Sequence, residues 1–129
     1  IELLTTQTTA KIFVASLPPI TEDFTYEGNL KADQYSETIK ETAQEFDLKY
    51  IPFREKLKSN MPTKSDQIQD FTNSDNLIRM AGLKKIFLGK SWNEIAASRN
   101  AKYMTDNIHL NDDAAEILAE MIEAEIKKL

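Results

Sequence analysis

Residues 106–109, Asp-Asn-Ile-His, place a carboxylate three positions before the single histidine of this 129-residue chain. A neutral imidazole can accept a proton, and a carboxylate bonded to its other ring nitrogen fixes the tautomer that does so. Asp106 and His109 could therefore be the acid and base of a nucleophilic triad. Spacing alone also allows a structural pair at a helix entrance, in which Asp106 accepts backbone N–H groups.

The third member of such a triad, a serine on a sharp glycine-rich turn, has no counterpart here. The sequence contains neither a Gly-x-Ser-x-Gly elbow nor a Gly-Asp-Ser block. Ser16 ends a predicted strand, where bonding to backbone is its expected role, and Ser91 is predicted to cap a helix. The remaining serines lack a local turn that would expose and activate them: Ser36, Ser59, Ser65, Ser74 and Ser98.

The composition, with 41% hydrophobic and 29% charged residues, is typical of one globular domain. A formal net charge of -5 and a pI ≈ 4.9 argue against a nucleic-acid or anionic-membrane partner. No apolar run approaches the ~20 residues that span a bilayer. Without cysteine there is no thiolate metal site, and Asp66, Asp70 and Asp75 lack calcium-loop spacing. We expect no metal, no cofactor and a soluble protein, either cytoplasmic or secreted or at the cell surface.

Hydrophobic patterning in the first half predicts a parallel crossover unit. The apolar run Lys11–Leu17 predicts a strand buried on both faces, which two prolines then stop. A second strand is predicted over Leu48–Phe53, after a helix from about Leu30 to Phe46. The apolar stripe of that helix consists of Ala32, Tyr35, Ile39, Ala43 and Phe46. Pro52 cannot donate a ladder hydrogen bond, which favours an edge position for that strand. Strand, helix and strand in this order are typical of a parallel sheet.

In the second half, helix signals stand out more clearly than strand signals. Residues 54–74 have no clear pattern, whereas Asp75–Leu88 predicts a helix that ends at Gly89. Ser91–Glu94 is a capping box, and Asn111 is predicted to cap the last helix. The apolar stripe of that helix consists of Ala114, Ile117, Leu118, Met121, Ile122, Ile126 and Leu129.

The block Asp-x-x-His-Leu-Asn at 106–111, directly before a C-terminal helix, resembles the last conserved block of the SGNH hydrolases, or GDSL lipase/esterase family. The strand closed by two prolines, the helix and the edge strand are similar to the second half of that family's fold. The resemblance covers residues 1–57 and 91–129. It implies an α/β fold, a three-layer α/β/α sandwich with a flavodoxin-like parallel sheet. Residues 1–129 would be the C-terminal part of one such domain, with an insertion at 58–90.

By this resemblance, Asp106 and His109 belong to the Ser-His-Asp triad of a carboxylic-ester hydrolase. The substrate would be a small ester, with an acetyl group on a carbohydrate or a short acyl chain. The family's Gly-Asp-Ser block and its oxyanion-hole blocks are absent, and Asn107 stands where a glycine is usual. We therefore expect the nucleophile upstream of this chain and the chain alone to be inactive. Its partner would be the missing N-terminal half of the fold or a self-associated copy.

Two other interpretations stay open. The chain could be a non-catalytic fragment or degenerate module that packs against a partner chain, or a flavodoxin-like binding domain with a coincidental Asp-x-x-His. A Gly-Asp-Ser strand in a longer precursor would favour the hydrolase. A set of apolar side chains either lines an acyl pocket or covers the sheet and one another: Phe71, Ile78, Phe87, Leu88 and Trp92.

Overall fold

The computed structural model describes residues 1–61 and 74–129, and not the side chain of Ser74. These residues form a mixed α/β fold that is mostly helical and contains a small parallel sheet. In chain order the elements are α1 (Glu2–Gln7), β1 (Phe13–Ala15), α2 (Glu27–Glu45), β2 (Lys49–Ile51), α3 (Phe53–Ser59), α4 (Ser74–Leu88), α5 (Trp92–Ala97) and α6 (Asp112–Ile126).

The two strands pair in parallel, with Phe13 opposite Lys49 and Ala15 opposite Ile51, and α2 is the crossover between them. This confirms the predicted strand–helix–strand unit. Each strand has only three residues, because Pro52 ends the ladder and becomes the N-cap of α3. The expectation that β1 is buried on both faces is wrong: its residues are half-buried, since only β2 pairs with it among the described residues.

The buried face of α2 is made of small side chains. Ala32 and Ser36 are buried there, and the Ser36 hydroxyl accepts the backbone N–H of Leu17 at 3.1 Å. Tyr35, which the apolar pattern assigned to this face, is 63% exposed. The buried residues of α2 are therefore small or polar, and the apolar pattern alone did not identify the buried face of this helix.

The main core lies between the sheet, α3 and α6. Phe53 and Leu57 of α3 are buried together with Ile51, although the sequence pattern did not predict α3. Each such side chain contributes roughly 1.5–3 kcal/mol when fully buried. The predicted stripe of α6 packs on this cluster through Ala114, Ile117, Leu118, Met121 and Ile122, whereas Ile126 and Leu129 are exposed.

A buried arginine joins the loop after β1 to α2 and α3. Arg54 donates to Asp33 Oδ1 at 2.7 Å, to the Asn29 carbonyl at 2.8 Å and to the Pro18 carbonyl at 3.3 Å. Burial alone would raise the pKa of Asp33, but its bonds to Arg54 and Lys58 outweigh burial and hold that pKa below its usual value. The guanidinium thus fixes the path of the chain as it leaves β1.

The predicted helix boundaries in the second half are confirmed. Gly89 has a φ of 61° directly after α4, a conformation that glycine adopts without a Cβ penalty. Ser91 and Glu94 form the reciprocal capping box of α5. The Asn111 side chain accepts the backbone N–H of Ala114 at 3.1 Å and so caps α6. These signals are local, and they fix the turn between α4 and α5 and the start of α6.

Apolar side chains are exposed along α4. Phe87 and Ile86 are each 76% exposed, far more than a side chain that contributes to a core. Exposed apolar patches of this kind mark surfaces that pack against something else. Further exposed members of this face of α4 are Met80, Leu83 and Leu88.

Within the described ranges, no helix has both the length and the apolar character needed to cross a membrane.

Candidate active site

The two oxygens of Asp106 serve two different purposes. Oδ2 lies 2.8 Å from His109 Nδ1, while Oδ1 accepts the backbone N–H groups of Ile108 at 2.7 Å and His109 at 2.8 Å. The Asp106 side chain is 4% exposed and the His109 side chain 60% exposed. With Nδ1–H bonded to the carboxylate, a neutral imidazole has its lone pair on Nε2. Asp106 therefore accepts backbone N–H groups, as a structural residue at a helix entrance would, and also bonds the imidazole, as the carboxylate of a triad would.

The segment 104–110, which we call the site loop, is closed at its base. Met104 and Leu110 form an antiparallel bridge, and the His109 carbonyl accepts both the N–H and the hydroxyl of Thr105, at 2.9 and 3.1 Å. These bonds return the chain on itself within a few residues. His109 therefore stands on a backbone that its own loop holds in place.

A buried carboxylate supports the approach to the site loop. Glu22 Oε1 accepts the backbone N–H groups of Lys102, Tyr103 and Met104, at 2.8, 2.6 and 3.0 Å. The residue is 4% exposed. Sequence reasoning missed Glu22, because it lies in a polar loop 80 positions before Lys102 and has no local signal of its role.

Further bonds fix the tip of the site loop. The Asn107 carbonyl accepts the N–H of Thr21 at 3.0 Å, and its side-chain oxygen accepts from Arg99 at 3.1 Å. Arg99 also donates to the Thr105 carbonyl at 3.2 Å. Asn107, which stands where glycine is usual in the resembling family, is buried, and its Nδ2 has no partner among the described residues.

A cavity of about 380 Å³ lies beside the acid–base pair. Ile78 of α4 and Trp92 of α5 line it, as the acyl-pocket hypothesis required. Phe87 and Leu88, from the same hypothesis, are exposed and do not line it, and Phe71 lies outside the described residues. The other lining residues are Ala81, Gly82, Thr105, Asp106, His109 and Leu110.

Hydrogen bonds to α6 hold the Trp92 side of this cavity. The backbone N–H of Trp92 donates to Asp112 at 3.2 Å, and Asn93 accepts the N–H of Asp113 at 3.1 Å. Lys85 Nζ lies 5.2 Å from the centre of the indole ring, within cation–π range. The start of α5 and the start of α6 are thereby joined next to the site loop.

The described serines are engaged in structural bonds and none bonds to His109. Ser16 Oγ donates to Glu55 at 2.7 Å and accepts the N–H of Arg54 at 2.8 Å. In the described part of the chain, no group forms a hydrogen bond with His109 Nε2. Ser65 and the side chain of Ser74 lie outside the described residues. The other described serines cap helices or bond backbone: Ser36, Ser59, Ser91 and Ser98.

The Ser16 cluster has its own ionisation pattern. Glu55 accepts both Ser16 and the Tyr50 hydroxyl, the latter at 2.7 Å. Burial, followed by the bond to Glu55, raises the pKa of Tyr50 to about 12. Burial would also raise the pKa of Glu55, but the bonds from Tyr50 and Ser16 outweigh it and lower that pKa. A serine that donates to an ionised glutamate and accepts from a buried amide is a packing element and not an activated nucleophile.

Metal ligands do not gather anywhere in residues 1–61 and 74–129: no group of three histidine, aspartate or glutamate side chains could hold an ion there. Asp75, at the start of α4, is exposed. Asp66 and Asp70 lie outside the described residues. What the described residues bring together for chemistry is an acid–base pair beside an apolar cavity.

Comparisons of the chain with protein-family models, with curated proteins and with solved structures found no match. The likeness to the SGNH hydrolases therefore depends on the block at 106–111 and on the order of the elements around it. The geometry beside that block is of a general kind, an imidazole oriented by a carboxylate, with no hydrogen-bond partner at Nε2 among the described residues.

Proposed function

We propose that this chain is the C-terminal part of an SGNH-type serine esterase and contributes Asp106 and His109 to its Ser-His-Asp triad. One observation carries the proposal: the 2.8 Å contact between His109 Nδ1 and a buried Asp106 carboxylate, with Nε2 unbonded among the described residues beside a cavity. The nucleophilic serine would come from outside these 129 residues, since the sequence has no Gly-x-Ser-x-Gly elbow or Gly-Asp-Ser block and no described serine is free to act.

The chemistry follows from the orientation of the imidazole. His109 Nε2 takes the proton of the serine hydroxyl while the serine oxygen attacks the ester carbonyl carbon. Asp106 stabilises the imidazolium that forms, and the backbone N–H groups bonded to Oδ1 hold its carboxylate in place. The imidazolium then gives its proton to the leaving alkoxide as the ester C–O bond breaks. Water, deprotonated by the same Nε2, hydrolyses the acyl-enzyme and returns the serine.

The parallel pair β1–β2 supports extension into a three-layer sandwich. Phe13 packs toward the core that α6 covers, whereas Val14 lies with Ile39 of α2 around a second cavity. Alternate side chains of a strand point to opposite faces, so helices lie on both sides of β1. Within the described residues, the ladder bonds of Ile12 and Ser16 go to β2. The backbone groups of Phe13 and Ala15 therefore face the other edge, where further strands could pair.

The test uses the longer protein that contains the nucleophile-bearing half, assayed with a p-nitrophenyl ester and with a fluorophosphonate probe. His109→Ala should abolish the ester burst, while Ile108→Ala, an exposed neighbour in the same loop, should retain it. The isolated 129-residue chain should show no burst and no labelled serine. Full turnover after His109→Ala would reject the triad, and labelling of the isolated chain would reject an external nucleophile.

A second candidate function is a non-catalytic module that packs against a partner chain. The exposed apolar face of α4 and the unpaired edge of β1 in the described sheet favour it. The same assay separates the two candidates, because a packing module predicts complex formation that is indifferent to His109→Ala and no esterase activity in the complex.

A further inference from the structure

One wall of the cavity beside His109 comes from a part of the chain that the family resemblance does not cover. Ile78, Ala81 and Gly82 belong to α4, which lies within the segment 58–90 that the resemblance treats as an insertion. The cavity is therefore a feature of this chain and cannot be inferred from the Asp-x-x-His block.

The walls offer almost nothing for a polar ligand to bond. Ile78, Ala81, Gly82 and Leu110 are apolar. At the end of the cavity near His109, the Thr105 hydroxyl donates to the His109 carbonyl, and both Asp106 carboxylate oxygens already accept hydrogen bonds. Among the described residues, the polar groups of the lining that a ligand could still bond are His109 Nε2 and the indole N–H of Trp92. A sugar would lose its hydration here without replacement, whereas an aliphatic chain would gain from leaving water.

The size of the cavity also favours a chain longer than acetyl. Apolar protein cavities of about 150 Å³ can hold benzene, a molecule of six carbons. A volume of about 380 Å³ is thus enough for a linear chain of roughly eight carbons.

We propose that this cavity binds the linear aliphatic acyl chain of the substrate, which makes medium-chain esters, and not acetylated carbohydrates, the substrate class. The inference rests on the proposed esterase for its reaction, but the binding of an alkyl chain is measurable without any reaction. The chain would lie between α4 and Trp92, with its carbonyl end toward His109.

Trp92 is the single tryptophan of the chain and lines the cavity, so its fluorescence reports occupancy. We would titrate the 129-residue chain with acetate, butyrate and octanoate and follow the indole emission. Octanoate should produce a saturable change and acetate none. Affinity should rise about fourfold for each methylene that leaves water, which is about 250-fold for the four methylenes between butyrate and octanoate.

Two variants of α4 test whether the ligand occupies the cavity or the exposed face. Gly82 lines the cavity and an added Cβ there would meet nothing within 4 Å, so Gly82→Leu adds an apolar side chain at the cavity wall without a clash at Cβ. It should weaken octanoate binding at least tenfold. Phe87→Ala removes an exposed apolar side chain outside the cavity and should leave octanoate binding unchanged. Circular dichroism checks that both variants keep their helices.

The inference is overturned if octanoate gives no response, if butyrate and octanoate bind equally, or if a folded Gly82→Leu binds as the parent chain does. Weaker binding in Phe87→Ala would also overturn it, by placing the ligand on the exposed face. Octanoate binding without any esterase burst in the longer protein would reject the proposed function and leave only the binding of an aliphatic chain in this cavity. A burst with acetyl esters and no octanoate binding would do the reverse.

Discussion

The sharpest test of how the site loop is held in place is substitution of Glu22. Its carboxylate accepts three consecutive backbone N–H groups, those of Lys102, Tyr103 and Met104. Hydrogen bonds to a charged group contribute about 1.5–3 kcal/mol each, and they are not additive when they share one acceptor. Glu22→Ala leaves the buried N–H groups without partners, so we expect a loss of about 3–5 kcal/mol in the free energy of unfolding.

Glu22→Gln is the more discriminating change. Its amide oxygen can replace Oε1, but the amide nitrogen would meet the N–H of Lys102, which donates to Oε2 at 2.9 Å. The expected loss is about 1.5–3 kcal/mol, a large share of a typical stability of about 5–15 kcal/mol. Glu120→Gln, at an exposed position of α6, is the matched control and should change stability by less than about 0.5 kcal/mol.

Urea unfolding followed by Trp92 fluorescence measures these differences, because the indole lies next to the site loop. The single histidine gives a second readout, since its imidazole NMR signals belong to one residue. Glu22→Gln should broaden or shift these signals, whereas Glu120→Gln should not. Glu22→Ala with the stability of the parent chain and unchanged imidazole signals would refute the claim that Glu22 positions the loop.

Three further predictions concern catalysis, pH and association. In the longer protein, Asp106→Asn should lower kcat by orders of magnitude with little change in KM. The same substitution in the triad of a serine protease lowers kcat by about 10⁴, because the histidine then takes the wrong tautomer. Steady-state kinetics check this, and a normal kcat would contradict it. The pKa of Tyr50 is raised to about 12, so the folded state keeps a proton that the unfolded chain releases, and the free energy of unfolding should fall as pH rises from about 10 to 12. Urea titrations across that range should show a flatter decline in Tyr50→Phe, and identical slopes would contradict the shift. Sedimentation at micromolar concentration should show the 129-residue chain self-associated. Ala15→Pro, which removes an N–H from the free edge of β1, should weaken that association, and a compact parent monomer would count against edge pairing.

Local signals predicted the parts of this fold that depend on a few neighbouring residues. The capping box at Ser91 and Glu94, the Asn111 cap and the glycine end of α4 each need only adjacent backbone. The contact between Asp106 and His109 is equally local, because the two residues are only three positions apart in the loop. For these features, sequence spacing already contains most of the geometry.

Features that depend on distant contacts were not predictable in the same way. Glu22 resembles any loop glutamate until the fold places it behind residues 102–104. Tyr35 fits a helical apolar stripe, yet Asn29, Ala32, Ser36 and Ala43 are the buried residues of α2 and Tyr35 is exposed. The cavity forms where α4, α5 and the site loop meet, which the sequence pattern cannot show. The pattern therefore predicted Ile78 and Trp92 as lining residues, but also Phe87, which is exposed.

The different hydrogen bonds of the two Asp106 carboxylate oxygens have a consequence for the rate at which activity appears. Both N–H groups that hold Oδ1 belong to the site loop itself, so the acid and base are assembled without help from any other polypeptide. If the proposed nucleophile-bearing half is supplied separately, the two pieces form a split enzyme in which this piece needs no ordering on contact. Activity should then appear with no lag from folding of the base, at a rate set by the release of self-associated chains and their encounter with the other piece.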